Sequence, residues 1–328
     1  MAASYATGTA TSPTDLLQKL VTWLVAQGWT QNMSQADGGG WRAHLSKGGQ
    51  YVNLRAIVNS ATAWTYQSGT VGYGIGLYLG DGFSSGAAWN AQSGAPLSSG
   101  TTNPVGAGMF LPSGAISAYH FFDNGSDHVT VVVERTFGNC AHMGWGPSLV
   151  KTGYTSDCWY FYGSSSSYYN TYSPTTPVPG YDQTAAAPMA PNLSYGGFMF
   201  ANAFVRVDAT EFAYRWVGLT ITSGTSAGYT GRSALNSLNA SGSTTYMTEF
   251  PAIGLMASRA WQTAFPGALL LPLHCFLRSV NARWIPLGYP PTVFYCGAVG
   301  HGFESGDIYT VGGVNYMLFP GFVVLKAA

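Results

Sequence analysis

Between Tyr119 and Trp145 the chain reads as three strands joined by two turns, and this run constrains the fold more than any other. Val129, Val131 and Val133 alternate with His128, Thr130, Val132 and Glu134, a period of two that gives one more apolar and one more polar face. Tyr119 to Phe122 precedes them, with the turn residues Asp123, Asn124 and Gly125 between. Phe137, Gly138 and Asn139 turn the chain again, and Cys140 to Trp145 returns. Consecutive strands with short connections pair antiparallel, so a β-meander is predicted here.

The flanking regions extend this reading. Ser12 can cap a helix, Pro13 suits its first position and Asp15 stands where a capping box places its acid. Leu16, Leu20 and Leu24, with Leu17 and Val21 beside them, form an apolar stripe, and Gly28 is a natural stop. Beyond it, Tyr51 to Val58 and Val71 to Leu79 are rich in strand formers. In the second, glycines alternate with Tyr, Ile and Leu, as where another backbone comes close. Phe198 to Ile221 and the chain from Leu269 onward also read as β, and Leu255 to Ala264 as a short helix. Asp307 to Val311, the pair Gly312 and Gly313, and Val314 to Phe319 form a hairpin signature. Two stretches differ: 163–197, dense in Ser, Tyr and Pro, and the Gly/Ser/Thr-rich Gly224 to Thr245. The expected architecture is mainly β (α+β): antiparallel sandwich or barrel-like sheets, one N-terminal amphipathic helix, and long Gly/Ser/Tyr-rich loops. It divides into a helix-plus-meander unit at 1–162, an arm or loop at 163–197, and a β-rich part at 198–328 that can be continuous with the first.

Charge then narrows the function. Asp, Glu, Lys and Arg make up 8% of the 328 residues, while aromatics make up 15%, with 21 Tyr and 10 Trp. Average soluble domains carry roughly 25% charged residues. Cores of protein interfaces are poor in charge and rich in aromatics, so this composition predicts a chain that hides much of its surface in an assembly. The net charge is zero and Lys and Arg do not cluster, which argues against a nucleic-acid partner. Met1 to Thr11 lacks the basic and apolar regions of a secretory signal. The apolar run Phe265 to Leu273 is short and broken by Pro266 and Pro272, so no membrane partner is expected. Four cysteines in a chain this long make no disulfide framework, as suits a protein made and kept in a cytoplasm until assembly.

Catalytic signals are weak. Gly224 to Gly228 and Gly82 to Gly86 both fit the G-x-S-x-G elbow, and two matches in a chain rich in Gly and Ser point to chance. Of the 13 acids, those grouped for paired-carboxylate chemistry are Asp123, Asp127 and Glu134 on the meander, and Asp208 and Glu211 near Arg206 and Arg215. Asp123 has an ordinary turn-forming explanation, and for the second pair ion pairing with the nearby arginines is the competing role. His120, His128, Cys140 and His142 fall on consecutive meander strands, and His274, Cys275, Cys296 and His301 follow later. Neither set has zinc-ligand spacing. No catalytic, cofactor or metal residue is therefore assigned. The interface candidates are Trp23, Trp29, Trp145 and Trp159, for which core packing is the competing role, and Tyr168, Tyr169 and Tyr172, whose Ser/Tyr surroundings have the composition of a paratope.

Three phrases carry a resemblance. Leu16 to Trp29 followed by Tyr51, Val52, Asn53, Leu54 and Arg55 is the first. The second is Tyr119 to Phe122, His128 to Glu134 and His142 to Gly146, continuing through Lys151 to Tyr154 into Trp159 to Tyr162. The third is Trp284 to Gly288 with Gly306 to Tyr309 and Phe319 to Pro320. Together they resemble structural proteins of tailed-bacteriophage particles, the minor tail or baseplate components. The resemblance implies a non-enzymatic virion subunit, present in several copies and partnered by itself and other virion proteins. A tail-tip module for a host glycan or receptor, a capsid decoration protein and, last, a virion hydrolase are the alternatives. The resemblance brings no catalytic residues.

Overall fold

The computed structural model describes residues 2–58, 73–95, 107–111, 114–136, 139–148, 150–151, 159–163, 165–166, 202–206, 212–214, 270–272, 275–278, 284–296, 305–319 and 322–326. In chain order these form β1 (Ser4–Ala10), α1 (Pro13–Ala26), β2 (Thr30–Asp37), β3 (Gly40–Lys47), β4 (Gln50–Ile57) and β5 (Tyr73–Gly80). A single 3-10 turn at Trp89–Ala91 leads to β6 (Ala107–Leu111), β7 (Ile116–Asp123), β8 (Val129–Thr136), β9 (Asn139–Gly146) and β10 (Val150–Lys151). Then come β11 (Tyr160–Gly163), β12 (Ser165–Ser166), β13 (Asn202–Arg206), β14 (Phe212–Tyr214), β15 (Leu270–Pro272) and β16 (Cys275–Arg278). The chain closes with β17 (Trp284–Tyr289), β18 (Val293–Cys296), β19 (Ile308–Val311), β20 (Val314–Phe319) and β21 (Phe322–Leu325).

The helix forms where its signals predict. Ser12 is extended and its Oγ accepts the Asp15 N–H at 3.2 Å. The Asp15 carboxylate reaches one residue further back than in the standard box, accepting the Thr11 N–H at 2.8 Å, and pairs with Lys19 at 2.8 Å. At the other end the Trp29 N–H bonds the Leu24 carbonyl and the Gly28 N–H that of Val25, with Gly28 at φ 80°. That is a Schellman stop, whose left-handed residue glycine adopts without a Cβ clash.

All strand pairs among the described residues are antiparallel, as expected of the meander and hairpin signals. A central seven-stranded sheet runs β1-β7-β8-β9-β11-β13-β14, and a six-stranded sheet β12-β6-β5-β4-β3-β2. A five-stranded sheet runs β15-β18-β21-β20-β19, and a three-stranded one β10-β17-β16. β13 and β14, which follow the 163–197 stretch, extend the central sheet, and β17 pairs with β10. Three hairpins turn on two glycines each, Gly38-Gly39, Gly48-Gly49 and Gly312-Gly313, all at positive φ. A two-residue turn with both φ positive matches strand twist, and glycine enters it without strain.

One core holds the central and six-stranded sheets together. Leu16, Leu17, Leu20 and Leu24 of α1 join Leu45, Leu54 and Leu77 from one sheet and Phe121, Val131 and Met143 from the other, all essentially buried. Trp29 meets Trp145 edge-on at a 6.1 Å centroid distance, bridging the start of β2 to β9. Three observations depart from the sequence reading. Ser4–Ala10, small and polar, is a strand because β7 offers it an open edge. The β2–β3 hairpin is present although β2 has almost no apolar alternation. Val132, on the supposedly polar face of β8, is as buried as Val131 and Val133, because the five-stranded sheet covers that face. The region 167–201, the Gly/Ser/Thr stretch 224–245 and the helix expected at Leu255 to Ala264 lie outside the described residues. No described helix is long and apolar enough to cross a membrane.

Candidate functional site

The most chemically loaded surface is the second face of the central sheet. Pairing register brings Tyr5, His120, Phe122, His128, Thr130, Glu134, Cys140, His142, Tyr160 and Tyr162 onto it. The sequence places the three histidines and Cys140 on consecutive strands; only the strand register puts them on one face.

Two glycines shape it. Tyr160 of β11 is opposite Gly146 of β9, and His128, just before β8, lies beyond, with the phenol oxygen 2.9 Å from His128 Nδ1. One row along, Tyr162 crosses Gly144 to Thr130 Oγ1 at 3.1 Å. A Cβ on Gly146 would stand 2.8 Å from the Tyr160 hydroxyl oxygen, and one on Gly144 2.5 Å from Tyr162 Cζ. The bare backbone of β9 is therefore the trough in which both phenols lie.

At the other end of the face a hydrogen-bonded chain joins four elements. The Tyr5 hydroxyl is 2.9 Å from His120 Nδ1, His120 Nε2 is 3.0 Å from Glu134 Oε1, and Ser305 Oγ donates to the same oxygen at 3.1 Å. Cys140 Sγ lies 3.9 Å from Ser305 Oγ. An ionised Glu134 accepts Nε2–H, which leaves Nδ1 to accept from the phenol. Hydroxyl, imidazole and carboxylate in that order repeat the logic of an activated nucleophile. The electrostatics oppose it. Burial, reinforced by the Glu134 charge, raises the Tyr5 pKa, and burial lowers that of His120. A less acidic phenol beside a weaker base is not primed for attack, so the chain acts as a clasp between β1, β7, β8 and the 305–319 hairpin.

The other two histidines of this face are held neutral. Burial pushes His128 down to about 4, opposed by Asp127, and pushes the fully enclosed His142 down to about 3. Burial pushes the Cys140 thiol up to about 12, with Glu134 adding to the shift.

A smaller polar patch lies on the outer face of the six-stranded sheet. His44 Nδ1 is 2.6 Å from Asn53 Oδ1, and Arg55 pairs with Asp37 at 2.9 Å. Gln92 pins the loop after β5 through the Ser84 N–H and the Ser84, Ala87 and Ala88 carbonyls. Gly82 to Gly86 lies in this loop and follows β5 into a turn without a helix, so it lacks the strand–turn–helix setting of an elbow.

The four tryptophans divide. Trp29 and Trp145 are enclosed in the core, so they anchor packing within the chain and have no surface left for a neighbour. Trp23 packs on Phe121 at 5.5 Å and Trp159 on the core margin, both half-buried. Tyr168, Tyr169 and Tyr172, like Asp208, Glu211, His274, His301 and the motif at 224–228, lie outside the described residues. Asp123 accepts the Gly125 N–H at 2.8 Å, the turn role its position implies, and Asp127 pairs with Lys47. His120, His128, Cys140 and His142 share a face without converging: among the described residues no three His, Cys, Asp or Glu side chains are placed to hold a metal ion. Cys275 and Cys296 stand on different sheets. Tyr160, Tyr162 and Ser305, missed as site residues, carried one local signal: phenols two residues apart on a strand share a face. Compared with known proteins, the chain matches no family model, and no curated protein shows significant similarity to it.

Proposed function

We propose that this chain is a structural subunit of a tailed-phage particle, in the tail or baseplate, acting by packing against copies of itself and other virion proteins rather than by catalysis. The carrying observation is the state of three of the eight described edge strands, the others including Lys151 in β10, Pro272 in β15 and Arg278 in β16. β1 (SYATGTA), β2 (TQNMSQAD) and β19 (IYTV) each end a sheet, and together they contain one charged residue, Asp37, with no lysine and no proline. Proteins that live alone blunt such edges with lysine, proline or bulges, because unpaired backbone groups recruit other strands. β1 and β2 each carry one bulge, yet Ser4–Gly8 and Met33–Asp37 remain regular. Strand addition between subunits satisfies these groups, and the low charge of the whole chain suits a surface covered by neighbours.

Sedimentation velocity tests this directly. The purified 34.7 kDa chain is expected to run as a defined oligomer, and Gln35→Pro in β2 with Thr7→Pro in β1 to shift it toward monomer while circular dichroism stays β. A wild-type chain that stays monomeric at high concentration, and is missing from a reconstruction of the intact particle, would overturn the reading.

A further inference from the structure

The outer face of the six-stranded sheet carries a compact polar block. Ala43, Leu45, Val52 and Leu54 belong to the core, so strand alternation turns Arg42, His44, Asn53 and Arg55 the other way. Register sets Arg42 opposite Arg55 and His44 opposite Asn53, on two interior strands of the sheet.

The loop from Asp81 to Ser93 lies over this block. Its neck is closed by the Asp81 N–H on the Ser93 carbonyl at 3.0 Å, and Gln92 ties its interior together, the build of an Ω-loop. Arg42 Nη1 donates to the Ala87 carbonyl at 3.2 Å. The Phe83 ring lies 5.2 Å from that of His44, and the Arg55 guanidinium sits 5.9 Å from the centre of the Trp89 ring.

The loop covers the block without satisfying it. Arg42 Nε, His44 Nε2 and Asn53 Nδ2 are buried with no hydrogen-bond partner among the described residues, and His44 and Asn53 are each 1% exposed. One unpaired buried polar atom is costly, and three on neighbouring residues call for a partner that the chain itself does not supply. Their chemistry says what fits. His44 Nδ1 donates to Asn53 Oδ1 at 2.6 Å, which leaves a lone pair on Nε2 and both N–H groups of the carboxamide. Arg42 Nε offers another N–H. Two guanidiniums stand against one carboxylate, Asp37, which holds Arg55 at 2.9 Å; the loop's own acid, Asp81, accepts the Ser93 hydroxyl at 2.6 Å. N–H donors beside an excess of positive charge suit an oxyanion, and the imidazole lone pair suits a hydroxyl carried on it.

We propose that Arg42, His44 and Asn53, with Arg55 beside them, form a binding site for a small oxyanion that carries its own hydroxyl, monohydrogen phosphate being the simplest, and that the Ala87 side of the 81–93 loop moves aside to admit it. The anion replaces the Ala87 carbonyl as the acceptor for Arg42. Its charged oxygens accept from Arg42 and Asn53, and its hydroxyl donates to His44 Nε2. Sulfate has the same shape and charge but no proton to donate at neutral pH, so the site tells the two apart.

Titration of the full chain with inorganic phosphate at pH 7.5, followed by calorimetry and by the imidazole resonances, tests this. Saturable binding is expected, with the His44 ring signals moving along the same curve. Sulfate should bind at least about tenfold more weakly, because it leaves Nε2 unpaired. Arg42→Gln and Asn53→Ala should each weaken phosphate binding by about tenfold or more, in proteins with wild-type circular dichroism. Lys19→Gln on α1 removes a positive charge elsewhere and should leave the affinity unchanged. If either site variant does not fold, the wild-type chain decides alone: its His44 signals must saturate with phosphate and stay put at the same sulfate concentrations. No saturable binding, equal affinity for the two anions, His44 signals that do not follow the binding curve, folded site variants that bind as wild type, or an equal loss in Lys19→Gln would each overturn the proposal.

Discussion

Tyr160 reaches across Gly146 to set its hydroxyl 2.9 Å from Nδ1 of His128, the residue that leads into β8. Glycine is the only residue that leaves room for this. Gly146→Ala is expected to cost about 2 kcal/mol, because its methyl must displace a ring packed on both sides. Gly86→Ala, where an added Cβ meets nothing within 4 Å, serves as the control and should change stability by less than about 0.5 kcal/mol. Urea midpoints at constant m-value read both. A Gly146→Ala protein as stable as wild type would mean that the trough is not closed as described.

The helix start offers a second test. Ser12→Ala removes the Oγ that accepts the Asp15 N–H and should cost about 1 kcal/mol. Ser12→Asp restores an acceptor and should recover most of it, as thermal unfolding will show. Asp15 adds a pH signature. Its pKa is lowered, chiefly by the hydrogen bond from Lys19, so its contribution is present above the ordinary aspartate value and is lost as pH falls below it.

Trp145 and Trp23 differ in how much they hold. Trp145→Ala empties a fully enclosed site and should cost about 4 kcal/mol, while half-buried Trp23→Ala should cost about half as much. A double-mutant cycle between Trp29 and Trp145, using phenylalanine substitutions, should return a coupling of about 1 kcal/mol from their edge-on contact.

Cys140 is expected to resist thiol reagents in the native protein. It is enclosed, and a pKa of about 12 leaves roughly one thiolate in ten thousand at pH 8. Alkylation followed by peptide mapping should find the peptide holding Cys140 unmodified without denaturant and fully modified in urea. Native labelling within minutes would show that Cys140 is not enclosed as described.

The sequence by itself determined the elements whose signals are local. Ser12, Pro13 and Gly28 set the ends of α1, and Leu16, Leu20 and Leu24 its buried stripe. The alternation around Val131 and the turn residues after Phe122 defined the meander, and Gly312-Gly313 the last hairpin. These were legible because a turn, a cap or a period depends on residues a few positions apart. Ser4–Ala10 and Thr30–Asp37 were not, because a small polar segment becomes a strand only when a partner edge is there to pair with it. The tertiary structure alone decided that Trp29 and Trp145 face inward, since both faces of the central sheet are covered. It alone joined Tyr5, His120, Glu134 and Ser305, which span 300 positions of the chain. Their meeting depends on strand register and on how sheets stack, and no local pattern in a sequence encodes those.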